Sequence, residues 1–339
     1  MTETDQAARD TRAIMRRQWA RQATGVPALE LERASSDAGF RSYWRGRDGQ
    51  ASWVVMDSPP ALEDVRPWLR MHDLLEQAGV RVPRVHARDV DAGLLLLEDL
   101  GSQTYLDLIE EQDPDALFDR AIDQLLVIQR IAPPAGMPGY DHALLQRELE
   151  LFQEWFLGRH LGIALAPAEQ AGLEAINELL IESALAQPQV LVHRDFMPRN
   201  LMPAGEGAAV LDFQDAVVGP VAYDPLSLFK DAFHGWPRAR VDAWLAHYHQ
   251  RATAAGVPVP DLARFRRDAD LIGVQRHLKV LGIFARLQHR DAKPRYLQDA
   301  PRFLRYLAEV LPRHAQLAPL QAVLELHVHP RLAPGPVAG

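Results

Sequence analysis

The spacing of hydrophobic positions changes about a third of the way along the chain. Before Gly101, short segments at 28–34, 40–45, 52–56 and 82–87 and the four-leucine run at 94–97 predict strands. Arg47-Asp48-Gly49-Gln50 lies between two of them. Asp-Gly accepts the positive φ of a tight hairpin, so Asp48-Gly49 is expected to form a two-residue loop. That register would place Arg41 opposite Met56 and Arg45 opposite Ser52, on one sheet face. Leu62, Val65, Leu69, His72 and Glu76 predict a helix over 62–78 that stops at Gly79, and 5–23 reads as an amphipathic leading helix.

After Gly101 the period becomes helical. Asp113-Pro114 is a cap with Pro at the first helical position and opens a helix to about residue 131. Further helices are expected at 141–160, 167–185, 224–233, 237–255, 261–287 and 301–315, interrupted by a strand pair near residues 191 and 211. The plan is α+β in two lobes: a five-stranded, mostly antiparallel lobe over 1–101 with its leading helix, a helical lobe over 102–329, and a Pro/Gly/Ala-rich tail over 330–339 expected to be frayed.

Composition narrows the chemistry. The 339 residues are 47% hydrophobic and 24% charged, ordinary for a globular enzyme. A net charge of -8 argues against a nucleic-acid partner, whose footprint would be a basic face. There is no cysteine, which excludes disulfides, zinc-thiolate sites and thiol nucleophiles. An acidic start without an apolar run, and no apolar stretch near the ~18 residues of a membrane span, lead to the expectation of a cytoplasmic enzyme without a membrane or obligate protein partner. Lysine occurs only at Lys230, Lys279 and Lys293.

Two motifs carry the chemistry. Leu191-Val192-His193-Arg194-Asp195 runs from an apolar segment into a His-Arg-Asp, Asn200 follows five residues after the Asp, and Val210-Leu211-Asp212-Phe213-Gln214 delivers a second carboxylate. Phosphoryl transfer from ATP needs such a set. One carboxylate (Asp195) accepts the proton of the attacking hydroxyl, while an amide oxygen (Asn200) and a second carboxylate (Asp212) hold Mg²⁺ against the phosphates. An Asp ending a strand and a turn amide are common for purely structural reasons; it is the spacing of the three that points to catalysis. No Gly-x-x-x-x-Gly-Lys-Ser/Thr is present, which excludes a P-loop.

With these motifs in this order of elements, the chain resembles the aminoglycoside phosphotransferase and choline kinase branch of the protein-kinase-like fold. Tyr43-Trp44-Arg45, Val54-Val55-Met56-Asp57 with Pro59-Pro60, His193-Arg194-Asp195-Phe196 and the segment from Gln275 to Leu287 are similar to the cell-wall-recycling kinases of amino sugars. The resemblance implies an ATP-dependent enzyme that phosphorylates the anomeric hydroxyl of N-acetylmuramate or N-acetylglucosamine in peptidoglycan recycling. It also implies a structural role for His193, a loop-bracing role for Asp224, a hinge for adenine at Glu98 and Leu100, and a phosphate-covering turn with Ser36 and Gly39. Related kinases carry a third-strand lysine where this chain has Met56, so Arg41, or else Arg45, is expected to hold the phosphates. Arg199 is expected near the phosphates or the sugar. Arg276 and Lys279 share a helix face that would suit an acidic sugar substituent or simply solvent. The competing readings are an antibiotic or choline phosphotransferase and a nucleotide-binding regulatory protein without catalysis.

Overall fold

The computed structural model describes residues 3–35, 40–230 and 232–332. The chain divides into two compact units. One comprises Met1–Gln124 and Pro198–Gln214, the other Leu125–Met197 and Asp215–Gly339. The expected boundary at Gly101 thus falls inside the first unit, which also takes in a later segment containing Asn200 and Asp212.

The first unit is built on strands β1 (Leu31–Ser35), β2 (Ser42–Asp48), β3 (Ala51–Asp57), β4 (Val85–Asp89) and β5 (Leu94–Glu98). They form one antiparallel sheet in the order β1-β2-β3-β5-β4. Side chains alternate across it. Trp44, Val55 and Leu96 fall on one face and pack with Ala20 of helix α1 (Glu3–Thr24). Tyr43, Arg45, Val54, Met56 and Leu97 fall on the other. Helix α1 is fastened by charge as well as apolar burial. Arg12 and Arg16 donate to opposite oxygens of buried Asp57, each at 2.7 Å, and the Arg16 guanidinium lies 3.6 Å over the Trp44 ring.

The hairpin corrects the expected register. Asp48 stays in the strand opposite Ala51, so the loop is Gly49-Gln50 and not Asp48-Gly49. Gly49 takes φ +56 at the first loop position, the geometry of a turn that demands positive φ there. Met56 therefore faces Tyr43 rather than Arg41, and Arg45 faces Val54 rather than Ser52. A two-residue slip keeps each side chain on its expected face, because the strand period is two.

Helix α2 (Arg66–Gln77) starts later than 62, with a Pro in its first turn. It turns Trp68 and His72 onto Phe213, with ring centroids of Trp68 and Phe213 5.1 Å apart. Phe213 belongs to the later segment, whose hairpin Leu201–Ala204/Gly207–Val210 is tied to the first unit by Val210 N–H to the Arg81 carbonyl.

The second unit is helical around α5 (Leu262–His289), which is buried along most of its length from Asp268 to Ala285. Against it pack α3 (His142–Leu151), its continuation Phe152–His160 and α4 (Pro167–Leu185). The helix expected over 141–160 is continuous but widens to π geometry at Phe152. At the transition α5 comes so close that a Cβ on Gly282 would stand 2.4 Å from the Leu151 carbonyl carbon. Strands Gln189–Val192 and Val217–Pro220 form an antiparallel pair. The helices expected at 224–233 and 301–315 are shorter, Tyr223–Phe229 and Ala300–Val310. The tail is helical through Leu332, and residues 333–339 lie outside the described ones. No helix among the described residues is long and apolar enough to cross a membrane.

Gly282→Ala should destabilise the second unit by about 2 kcal/mol or more, since a buried backbone must move to admit one methyl. A thermal midpoint within a degree of wild type would contradict this close approach.

Candidate active site

In the first unit the sheet face opposite α1 borders a cavity of about 380 Å³. Tyr43, Arg45, Val54 and Leu97 line it from the sheet, Glu98 to Gly101 from the end of β5, and Arg199, Asn200, Leu211, Asp212 and Phe213 from the later segment. Asn200 and Asp212, twelve positions apart in sequence, are brought together by the hairpin between them. Its first pair is Leu201 with Val210, and Leu211 N–H donates to the Asn200 carbonyl at 2.9 Å. Asp212 holds φ +60, a left-handed conformation that a residue with a Cβ adopts only under constraint. Its Oδ1 accepts from Gln214 Nε2 at 2.9 Å. An amide and a carboxylate lining one cavity are the hard oxygen donors that suit Mg²⁺, which takes few protein ligands and fills its shell with phosphate and water.

The end of β5 is locked. Arg45 donates to both oxygens of Asp99, at 2.8 and 2.9 Å, and to the Gly101 carbonyl. This commits Arg45 to the hinge through Asp99. Glu98 shares the face of Trp53 by register. Its carboxylate accepts from Arg81 and from the Arg84 N–H, and the Arg81 hydrogen bond holds it below the usual range. Leu100 lines the cavity beside it. Arg41 pairs with Glu63 at 3.0 Å and is not among the described residues lining the cavity. Ser36 and Gly39 lie outside the described residues.

Asp195 belongs to the second unit. The preceding residue, Arg194, is also left-handed at φ +74. Buried Asp224 accepts from the N–H groups of His193 and Arg194, at 2.7 and 3.0 Å. Burial pushes its carboxyl up to about 6 against the pull of His193 and these donors. His193 Nδ1 accepts from the Asp195 N–H at 3.3 Å, so the imidazole holds the loop as its expected structural role requires.

Arg276 and Lys279 are not a solvated stripe. They are 4% and 7% exposed and belong to a buried polar cluster. At its centre Glu148 accepts from Arg194 at 2.6 Å, Lys279 at 2.8 Å, Gln275 at 3.1 Å and the Tyr140 hydroxyl. Burial raises the Glu148 carboxyl, but Lys279 and Arg194 overcome this and bring it down to about 2. Sequence reasoning missed Glu148; the signal was a Glu beside Leu145, Leu149 and Phe152 on an apolar helix face. Phe156 is core, whereas Trp155 and Trp236 are half-buried. His327 is held by Glu169 at 2.7 Å within an ordered turn.

A five-stranded antiparallel sheet with a helical second unit, carrying these two Asp motifs, defines a protein-kinase-like phosphotransferase. Residues 30–254 match the sequence profile of the phosphotransferase enzyme family, APH, and the chain belongs to that family. It is 54% identical over 308 residues to the N-acetylmuramate/N-acetylglucosamine kinase of Pseudomonas putida, covering 90% of this chain and 91% of that one. It is 41% identical over 319 residues to the N-acetylmuramate/N-acetylglucosamine kinase of Neisseria meningitidis serogroup B, covering 92% and 95%. ADP-bound aminoglycoside phosphotransferase APH(2'')-Ib shares the fold with a TM-score of 0.59 at 15% identity, over 86% of this chain and 97% of that one. Choline kinase LicA from Streptococcus pneumoniae does so with a TM-score of 0.57 at 15% identity, over 87% and 99%.

Because Glu148 ionises more readily folded than unfolded, its contribution is complete above pH ~4.5 and is lost as pH falls toward 2. Glu148→Gln should lower stability by about 3 kcal/mol at pH 7, a gap that narrows below pH ~4.5. Urea midpoints of both proteins at pH 7, 5, 4 and 3 check this; a gap constant with pH would contradict it.

Proposed function

We propose that this protein transfers the γ-phosphoryl group of ATP to the anomeric hydroxyl of N-acetylmuramate and N-acetylglucosamine. The acceptor class follows from relatives of that name that match over nine-tenths of the chain. The observation that carries the reaction type is the cavity in which Asn200 and Asp212 stand beside the hinge.

Asp195 orients the sugar hydroxyl and takes its proton as the new O–P bond forms and the terminal phosphoryl leaves ADP. Its 43% exposure keeps it accessible to an acceptor. Asn200 and Asp212 are the residues that would hold Mg²⁺; when bound, that ion neutralises the phosphate oxygens. The hinge backbone at Glu98 and Leu100 takes the adenine, with the Arg45–Asp99 pair fixing the strand end. Arg199 faces the phosphate end of the same cavity.

Arg41 supplies the cation that a third-strand lysine gives related kinases. Met56 is fully buried there and the first 229 residues hold no lysine. Arg41 precedes β2 on the face of Tyr43, Glu63 orients it through Nε, and its buried Nη1 has no hydrogen bond among the described residues. A guanidinium suits phosphate oxygens and stays charged at any working pH. The substrates are small, and the reaction fits the cytoplasm, where ATP is made.

Rates with Mg-ATP against N-acetylmuramate, N-acetylglucosamine, choline and an aminoglycoside test the acceptor class; phosphorylation confined to the last two would contradict it. Asp195→Asn should keep the fold and ATP binding while losing ~100- to 10,000-fold in kcat. Turnover within threefold of wild type would remove Asp195 from this role. Arg41→Met should weaken ATP affinity by about tenfold, the loss of a charge-assisted phosphate contact. Calorimetric titration with ATP reads it, and an unchanged affinity would refute the assignment.

A further inference from the structure

The second unit gathers three cationic side chains beside Asp195: Arg276 and Lys279, which are buried, and Arg194, which is part-buried. Burying a charge is costly unless it is paired and hydrogen-bonded. Glu148 accounts for two of the three, since one of its oxygens accepts from both Arg194 and Lys279. Its other oxygen is taken by Gln275 and the Tyr140 hydroxyl.

Arg276 is used differently. Its Nη1 donates to the Arg194 carbonyl at 2.9 Å and to the Tyr223 hydroxyl at 3.0 Å, and its Nη2 lies 4.0 Å from Asp195 Oδ1. Tyr223 also accepts from Lys279 at 3.2 Å, so one hydroxyl fixes both cations relative to each other. Arg276 is buried whereas Asp195 is 43% exposed. The guanidinium therefore addresses Asp195 from the protein side.

The residue between them shows what this arrangement secures. Arg194 is left-handed, a conformation that a residue with a Cβ does not hold by itself. Its N–H is held by Asp224, its guanidinium by Glu148 and its carbonyl by Arg276. Every restraint on residue 194 thus bears on the direction in which the next side chain leaves the backbone.

We propose that Arg276 is a positioning residue for phosphoryl transfer, fixing the Arg194 carbonyl and facing the Asp195 carboxylate, with Tyr223, Lys279 and Glu148 holding it in place. The proposal rests on the reading of Asp195 as the proton acceptor. Arg276 exchanges no proton itself: the hydroxyl proton goes to Asp195, the acceptor oxygen bonds phosphorus, and the electrons of the broken O–P bond leave with ADP. Its part is to keep the carboxylate aimed at the hydroxyl. A guanidinium suits this task because its planar fork carries donors in two directions at once. The segment from Gln275 to Leu287 thus turns inward at Arg276 and Lys279 to build the base, rather than outward to meet the sugar.

The test is steady-state kinetics of Arg276→Gln, Arg276→Lys and Tyr223→Phe, per folded molecule, on whichever acceptor of the four-member panel wild type phosphorylates. Arg276→Gln should lower kcat by about 100-fold, the scale of one lost preorganised donor, with KM for ATP within about threefold. Arg276→Lys should recover at least about tenfold of that loss. If Arg276→Gln does not fold, Tyr223→Phe decides. It keeps every charge, and kcat should fall by about tenfold at unchanged KM for ATP. A wild-type kcat in folded Arg276→Gln or in Tyr223→Phe, or a rise in KM without a fall in kcat, overturns the proposal while leaving the sugar-kinase reading intact. Wild-type activity on choline or an aminoglycoside alone overturns the sugar reading while the Arg276 comparison still stands. A wild type that transfers to none of the four overturns both.

Discussion

The second unit is organised around one buried carboxylate. Glu148 is buried, yet it stays ionised because Arg194 and Lys279 converge on one of its oxygens and neutral donors occupy the other. The arrangement is costly to interrupt at its centre, since removing Glu148 would leave Arg194 and Lys279 without their carboxylate. It fixes the guanidinium of Arg194 in the middle of the His-Arg-Asp motif, and Asp224 fixes the backbone of the same motif. Asp195 inherits its direction from both.

The first unit follows a simpler rule, the alternation of side chains across a sheet. One face of β2, β3 and β5 closes on α1 and the other borders the cavity. The charges on these strands follow that division. Asp57 sits on the α1 face and receives Arg12 and Arg16. Arg45 sits on the cavity face and fixes the strand end through Asp99. Met56 is buried at mid-strand, and Arg41, just before β2, pairs with Glu63.

Local pattern made much of this legible. The strand and helix periods, the α+β plan and the two Asp motifs lie in contiguous residues, where spacing and chemistry act at short range. The β2–β3 hairpin shows the limit. Asp48-Gly49 is a genuine turn signal, but Gly49-Gln50 also supplies the positive φ, and the loop falls one residue later along the chain. Parity survived, so face assignments held while opposing partners shifted. Glu148 shows the other limit. A lone Glu on an apolar helix face reveals neither its partners 46 residues away at Arg194 nor those on α5, because burial and pairing are long-range outcomes of packing. The spacing of Arg276 and Lys279 placed them on one face but could not say that the face turns inward.

The position of the transferred phosphoryl group tests the proposed reaction most directly. Incubation with Mg-ATP and N-acetylglucosamine, followed by phosphorus NMR of the product, locates it directly through coupling to the sugar protons. A single phosphate ester coupled to the anomeric proton, formed by wild type and absent with Asp195→Asn, is the expected result. A phosphate on any other hydroxyl, or ATP consumed without a phosphorylated sugar, would contradict it.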